Sequence, residues 1–308
     1  MSTVARHPVF RAPTGLQLRK ARDRVIELIL LLAALVAVFT TLAIVVVLVY
    51  ESLPFFEQVP LGDFLTDTMW TPLFAEPRYG IMPLVAGTLV TTFVALAVAI
   101  PAGTIIAIYL SEFAPFRLRE TVKPALELLG AVPTVVYGYF ALMIVTPMLQ
   151  KLIPGLPGFN MLSAGLVIGI MIIPYVASVS EDAMRSVPNY MREGSYAMGA
   201  TRFQTATRVV VPGALSGIAA AYILGISRAV GETMVVAVAA GLQPNLTWDP
   251  TEPAATITPF IVQVSLGDLP HDSIGYQSIF AAGLVLMLIT LIFNIAGFSL
   301  TRKFREAY

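Results

Sequence analysis

The sequence predicts an all-α integral membrane protein with six transmembrane helices. Three observations indicate this: the composition, the length of the apolar runs, and the uneven distribution of basic residues. The chain is 57% hydrophobic and 12% charged, whereas a soluble domain carries about 45–50% apolar and about 25% charged residues. About half the usual charge is therefore absent, and what remains is clustered between the apolar runs.

Six apolar runs are long enough to cross a hydrocarbon core, which takes about 20 helical residues. The first run follows a basic segment, as in a signal peptide. It is longer than a signal-peptide core, and no small-residue cleavage site follows it, so we expect a retained helix. The six predicted spans are Val25–Val49, Ile81–Leu110, Val122–Leu149, Met161–Val179, Gly213–Gly241 and Ser278–Leu300.

Lysine and arginine orient these spans, because cytoplasmic loops carry an excess of both. Sixteen flank the spans on one side and two, Arg78 and Lys151, on the other. We therefore expect both termini in the cytoplasm, with a cytoplasmic N-terminal segment over residues 1–24 and a transmembrane domain over 25–308. The expected loops are a cytoplasmic one over 181–212 and external ones, Pro-rich and acidic, over 50–80 and 242–277.

Several classes of chemistry find no support in the sequence. Nineteen basic and nineteen acidic residues cancel, so net charge predicts no nucleic-acid partner. The absence of cysteine removes disulfides and thiolate metal sites. The two histidines, His7 and His271, lie far apart in polar segments, and no acidic or histidine cluster has metal-ligand spacing. The sequence contains no P-loop motif, so any ATP bound through such a loop must belong to another subunit.

Small residues recur at every fourth position in the second and fifth spans. Such stripes let helix backbones approach closely in a membrane, where lipid offers no hydrophobic drive for association. They fit either tight packing within one bundle or a moving or subunit interface. The stripes are Gly87, Thr91, Ala95, Ala99, Gly103, Ala107 and Ser111, and Gly213, Gly217, Ala221, Gly225, Ala229, Thr233, Ala237 and Gly241.

Three prolines, Pro101, Pro133 and Pro174, fall inside predicted spans. Each removes one backbone hydrogen bond and can kink its helix. Neighbouring groups or cavity water can compensate, so such kinks are compatible with a transport pathway.

Arg228 and Glu232 are ionisable residues deep inside the fifth predicted span. Arg228 lies about 22 Å beyond Gly213 on a helix, where a charge costs about 2.5–3.5 kcal/mol on insertion scales. Four residues apart, the two are expected on one helical face as an ion pair. One interpretation is a structural salt bridge. The other is that both residues line a substrate path, in which the guanidinium fork matches an oxyanion and Glu232 holds or neutralises Arg228. Glu127, early in the third predicted span, is a weaker candidate for the same path.

The 181–212 loop carries the signals of two short helices. Pro188 is well placed near a helix start, and Gly199 is a C-terminal stop. Thr201 and Gln204 then form a capping-box pattern, and Pro212 closes the second stretch. We expect a compact two-helix loop.

The same loop carries a family signature, Glu193-Gly194-Ser195, then Gly199 after three residues and Val-x-Val-Pro212 after nine more. It resembles the EAA loop of ABC importer permeases, whose pattern is Glu-Ala-Ala, three residues, Gly, nine residues, Ile-x-Leu-Pro. The spacing agrees throughout, and the four departures are small or aliphatic exchanges. The resemblance implies a type I ABC importer permease-like fold, with this loop docking on a cytoplasmic ATPase. The docking residues it implies are Glu193, Gly194, Ser195, Gly199, Ala200 and Thr201.

Further segments narrow the resemblance to permeases of the phosphate-specific (Pst) import system. Residues 178–188 and the Leu-Ser-Ala-Gly run at 162–165 are more similar to its PstC-type than to its PstA-type subunit. The similarity covers about residues 80–300 and also includes segments 109–115, 130–138, 162–174 and 228–234.

That resemblance implies a permease subunit that imports inorganic phosphate by alternating access in a bacterial inner membrane. Arg228 and Glu232 would belong to the phosphate pathway. The implied partners are a PstA-like second permease, a PstB-like ATPase dimer that binds ATP and magnesium, a PstS-like periplasmic phosphate-binding protein and membrane lipid.

Other functions remain open from the residues alone. A permease for sulfate or molybdate would use the same arginine chemistry. A stand-alone channel or secondary transporter would share the spans but would not need a docking loop. Gly225-Ile-Ser227 superficially resembles an intramembrane serine protease, but serine needs an activating base and neither histidine lies in a span.

Overall fold

The computed structural model describes residues 14–74 and 76–303, and within these ranges the chain is almost entirely helical. The one β-type pairing there is an isolated bridge between Trp70 and Tyr79. The helices are α1 Thr14–Gln58, α2 Leu61–Thr66, α3 Met82–Ile108, α4 Phe116–Ala131, α5 Thr134–Phe140, α6 Thr146–Leu152, α7 Met161–Ser186, α8 Asn189–Ala197, α9 Arg202–Thr205, α10 Val211–Gly213, α11 Leu215–Val230, α12 Met234–Ala239, α13 Ile257–Ser265 and α14 Ile274–Lys303, with π-helical turns over Tyr109–Phe113, Ala141–Val145 and Ala206–Val210.

The chain divides into two units between Tyr50 and Glu51, within α1. In the first unit, α1 is one continuous helix that contains the first predicted span. The stretch that could cross a membrane is Arg22–Gln58, and its most apolar 18-residue window has a mean hydropathy of 3.0. The predicted N-terminal segment is described only from Thr14, and residues 1–13 lie outside the described part of the chain.

In the described residues, five helices are long and apolar enough to cross a membrane, or six if one strongly bent pair counts as a single span. The six-span prediction agrees with this count. The second, fourth and sixth predicted spans correspond to α3, α7 and α14, which begin within four residues of the expected positions.

The predicted start of the third span is wrong. The helix stops at Ala131 and restarts at Thr134, because Val132 and Pro133 adopt extended backbone. Proline has no N–H to donate and disfavours helical backbone in the residue before it. The apolar helical stretch that could span a membrane is Thr134–Leu152, and α4 is a separate helix before it.

The fifth predicted span is not one helix either. A bend of 72° separates the stretch Arg202–Gly213 from α11. A second break follows α11, where Gly231, Glu232 and Thr233 lie outside helical structure before α12 begins. The structure thus divides the predicted span Gly213–Gly241 into α11 and the short helix α12.

The central helix of the second unit is α7, whose most apolar window is 61% buried. Both small-residue stripes pack against it. A Cβ on Gly103 of α3 would lie 2.7 Å from Val176, and one on Gly225 of α11 would lie 3.2 Å from the same side chain. Gly103 and Gly225 therefore pack within one bundle, against a helix that the stripe pattern did not identify.

Both segments predicted as external loops are partly folded. Helix α2 and the end of α1 come from the first, and α13 comes from the second. Together with residues of α3 and α14, their aromatic and aliphatic side chains form a second apolar core, in which Trp70 packs edge to face on Phe260 with ring centroids 5.0 Å apart. Aromatic pairs in this geometry add to the energy of simple burial. These segments are a packed cap on the bundle, at the end opposite the 181–212 loop.

Candidate functional site

The break after α11 separates the two charges that the sequence placed on one helix. Arg228 lies in the last turn of α11, and Glu232 lies beyond the helix end at Val230. Among the described residues, no ion pair joins their side chains within 4.0 Å. The expected Arg228–Glu232 salt bridge is therefore wrong, because the i, i+4 geometry requires a helix that continues through both positions.

Arg228 instead stacks on an aromatic ring. Its guanidinium carbon lies 4.6 Å from the centroid of the Tyr175 ring on α7. A cation over an aromatic face gains electrostatic energy from the ring quadrupole, and the negative end of the α11 dipole favours a cation in its last turn. The Nε of Arg228 is buried and has no hydrogen-bond partner among the described residues. The arrangement leaves the charge of Arg228 without a counter-charge at bonding distance.

Glu232 forms hydrogen bonds with backbone groups and not with Arg228. One carboxylate oxygen, Oε1, accepts hydrogen bonds from the backbone N–H groups of Met234 and Val235 at 3.2 and 3.3 Å. The backbone carbonyl of Glu232 accepts a hydrogen bond of 2.7 Å from the Thr258 hydroxyl on α13. The side chain is 7% exposed. Glu232 thus satisfies the free N–H groups at the start of α12, and Thr258 fixes the broken segment to α13.

Tyr175 connects this site to the other broken span. Its hydroxyl donates to the carbonyl of Gly130 at 3.3 Å, next to the end of α4. Glu127, the weaker sequence candidate, is an exposed residue on α4 and accepts a hydrogen bond from Ser178 at 3.3 Å. It lies before the apolar stretch Thr134–Leu152, and its role in the path stays a prediction.

The 181–212 loop folds as the sequence predicts. Helix α8 begins after Pro188, and Gly199 adopts a left-handed backbone with φ of 83°. Thr201 caps α9 in a complete capping box with Gln204. Of the other predicted docking residues, Glu193 and Gly194 are exposed on α8 and Ala200 is half-buried. The Ser195 hydroxyl is 2.9 Å from that of Thr205, which joins the two helices of the loop.

One residue of the loop contacts the ends of two bundle helices and was missed by sequence reasoning. Arg192 of α8 forms an ion pair with Glu112, at 2.9 Å between Nη2 and Oε1, and their side chains are 14% and 5% exposed. Its Nη1 and Nη2 also donate to the carbonyls of Val187 and Met184 at 2.6 and 2.8 Å. The two charged residues are 80 positions apart. A single sequence contains no local signal for such a pair.

A second charged cluster ties α4 to α7. Lys123 contacts the carboxylates of Glu181 and Asp182 at 2.7 and 2.5 Å. Burial alone lowers the pKa of Lys123, but the hydrogen bonds to Asp182 and Glu181 outweigh it and hold the pKa above its usual value. The ammonium group therefore stays charged at neutral pH, and the cluster fixes α4 beside the start of the loop.

The structure is a helical membrane bundle with broken spans, with an arginine in the helical turn before one break and a capped two-helix loop at one end. Such an arrangement is typical of a permease of a transport system. The family model of the binding-protein-dependent transport system inner membrane component matches residues 99–306. This is more than half of the chain, so the protein belongs to that family of multi-pass inner membrane permeases.

Individual relatives agree with this assignment. The chain is 34% identical to the probable ABC transporter permease protein YqgH of Bacillus subtilis over 279 residues, which cover 90% of this chain and 89% of the relative. It is 31% identical to the phosphate transport system permease protein PstC of Xylella fastidiosa, covering 96% and 95%. Its fold is similar to a chain of a bacterial ABC transporter that imports the polysaccharide alginate, with a TM-score of 0.64, 16% identity and coverage of 95% and 100%.

Proposed function

We propose that this protein is the permease subunit of an ATP-driven importer that moves inorganic phosphate into the cytoplasm. The observation that carries the proposal is Arg228, a half-buried guanidinium in a broken span that has no carboxylate within 4.0 Å among the described residues. The relatives named for phosphate transport support phosphate as the substrate. A planar guanidinium offers paired N–H donors to a phosphate oxygen pair. The sulfate and molybdate alternatives share that chemistry, so the relatives' names are what favours phosphate.

We place the 181–212 loop and both termini on the cytoplasmic side. The excess of lysine and arginine at the loop end supports this orientation. Arg78 and Lys151 would then be the basic residues at the outer face, where the folded cap of α2 and α13 meets a periplasmic phosphate-binding protein of the PstS type.

The loop is the proposed docking surface for a separate ATPase of the PstB type, which binds the ATP and magnesium. Three large apolar side chains on the loop are exposed: Tyr190 and Phe203 are each 65% exposed, and Met198 is 88% exposed. Three large exposed apolar side chains within one short segment are what a docked partner would cover. Glu193 lies on the same short helix, and a PstA-like permease subunit would complete the membrane part of the complex.

In the transport cycle, ATP-driven closure of the ATPase dimer would move the loop and change access to the site at Arg228 from one side of the membrane to the other. Tyr175 would hold the face of the guanidinium, so that its N–H edge is available to phosphate. Glu232 would keep α12 in place and so preserve the break that admits the substrate.

The test is uptake of radiolabelled phosphate by the assembled importer carrying Arg228→Gln. We expect uptake to be abolished while the variant still co-purifies with the ATPase. Normal uptake would refute the pathway role of Arg228. Competition with sulfate and molybdate checks the substrate: if either displaces phosphate at equal concentration, the protein is a permease of broader or different oxyanion specificity.

A further inference from the structure

We propose that the Arg192–Glu112 ion pair is the link that couples the docking loop to the transmembrane bundle. This inference rests on the proposed function, because it concerns how motion of the loop becomes motion of the spans. The established signature of the loop does not include either residue. The pair joins α8, on which Glu193 lies, to the end of the span α3.

The contacts of Arg192 use most of its donors. Nε lies 3.3 Å from each carboxylate oxygen of Glu112, and Nη2 lies 2.9 Å from one of them. The remaining contacts are to the carbonyls of Met184 and Val187 at the end of α7. One side chain therefore holds three elements together: α8, the end of α3 and the end of α7.

In the described part of the chain, no other side chain of the loop forms a hydrogen bond with the bundle. Between segment 188–211 and the rest of the described residues, every side-chain hydrogen bond is made by Arg192. The other polar contacts of the loop, such as Ser195 with Thr205, lie within it. Apolar packing around Met184 and Val210 adds contact area, but such packing is not directional. The ion pair is thus the directional connection.

The location of Glu112 fits a mechanical role. It lies in the π-helical turn Tyr109–Phe113 that ends α3. Such turns are rare in proteins, and those that occur often lie at functional sites. From there α3 packs on α7 through close contacts such as Gly103 with Val176. The neighbouring residue of α7, Tyr175, stacks on Arg228. A displacement of α8 can therefore reach Arg228 through rigid, closely packed helices.

The experiment uses the complete importer with its ATPase, second permease and binding protein in proteoliposomes. It measures phosphate uptake and ATP hydrolysis together for Arg192→Gln and Glu112→Gln. We expect both variants to retain the ATPase and to hydrolyse ATP, with phosphate transported per ATP falling at least tenfold. Unchanged transport per ATP in both variants would overturn the proposal.

Removing one member of a buried ion pair leaves a charge without a partner, which can prevent folding. A second pair of variants therefore keeps both charges. Arg192→Lys and Glu112→Asp keep both charges but change the fork geometry or shorten the carboxylate. We expect assembled complexes with transport per ATP reduced severalfold. Full coupling in both would show that the geometry of the pair is not the link.

Asp182→Asn is the matched control. Asp182 pairs with Lys123 at the same end of the bundle, but in the described residues no hydrogen bond or ion pair joins either residue to α8. Lys123 keeps its contact with Glu181. We expect normal coupling in this variant, and a loss equal to that of Glu112→Gln would contradict a specific role for the pair. The outcome is separable from the proposed function: if Arg228→Gln transports phosphate normally, the pathway claim fails, whereas normal coupling in the Arg192 and Glu112 variants removes only the link.

Discussion

Arg228 lies over the face of Tyr175, with 4.6 Å between the guanidinium carbon and the ring centroid. The contact joins the last turn of α11 to the middle of α7, and it takes the place of the Arg228–Glu232 ion pair that the sequence spacing suggests. Among the residues that the structure describes, no carboxylate lies within 4.0 Å of the guanidinium, so its charge is available to an anion.

Removing the Tyr175 ring should weaken phosphate binding without preventing assembly. Tyr175→Leu loses a cation–π contact of about 0.5–2 kcal/mol, which corresponds to an increase of about 2- to 30-fold in the phosphate concentration for half-maximal uptake. Tyr175→Phe keeps the ring and should stay close to the unmodified protein. The measurement is the concentration dependence of phosphate uptake.

Tyr137→Leu provides the control for a general packing effect. Tyr137 also donates its hydroxyl to a carbonyl at the end of α4, that of Leu129 at 2.7 Å, but the ring on which Arg228 stacks is that of Tyr175. We expect its half-maximal concentration to stay unchanged. A similar increase in both leucine variants would mean that Tyr175 acts through packing alone.

Glu232 should act on stability through its hydrogen bonds to the start of α12. Glu232→Ala removes the acceptor for Met234 and Val235, and a lost N-terminal cap costs about 1 kcal/mol. We expect the thermal midpoint to fall by about 2–4 °C, and Glu232→Gln, which keeps an acceptor oxygen, to recover most of that loss. Equal midpoints for the alanine variant and the unmodified protein would contradict the capping role.

Two glycines of the loop should respond in opposite directions to the same substitution. Gly199 has φ of 83°, a conformation that costs an L-residue about 1–2 kcal/mol, so Gly199→Ala should weaken the loop and its association with the ATPase. Gly194 lies within α8 with no atom near its potential Cβ, and Gly194→Ala should stabilise the helix by up to about 1 kcal/mol. Co-purification with the ATPase and thermal unfolding of both variants measure this contrast.

The contact between α3 and α7 should tolerate no added carbon at Gly103. A Cβ there would lie 2.7 Å from Val176, and overpacking of this kind costs about 1–3 kcal/mol. Gly103→Ala should therefore lower the thermal midpoint even though alanine favours a helix. Gly62→Ala, in open space on α2, is the control and should be neutral or slightly stabilising; matching losses in the two would argue against tight packing at Gly103.

The sequence by itself determined the membrane class, the number of spans and the two-helix loop. These features depend on local properties: twenty apolar residues cross a bilayer, and Thr201 with Gln204 forms a cap wherever a helix starts. Arg228 was also identifiable, because a charge inside an apolar run is costly enough to need a reason.

Only the tertiary structure decided which groups meet. Periodicity placed Arg228 and Glu232 on one face by assuming an unbroken helix, and the break between α11 and α12 removes that geometry. The contacts of Arg228 with Tyr175 and of Arg192 with Glu112 join positions that are distant in the chain, and the packing of α3 and α11 on α7 sets their distances. Local sequence signals specify where helices begin and end, whereas the side chains that pair across helices depend on how the whole bundle packs.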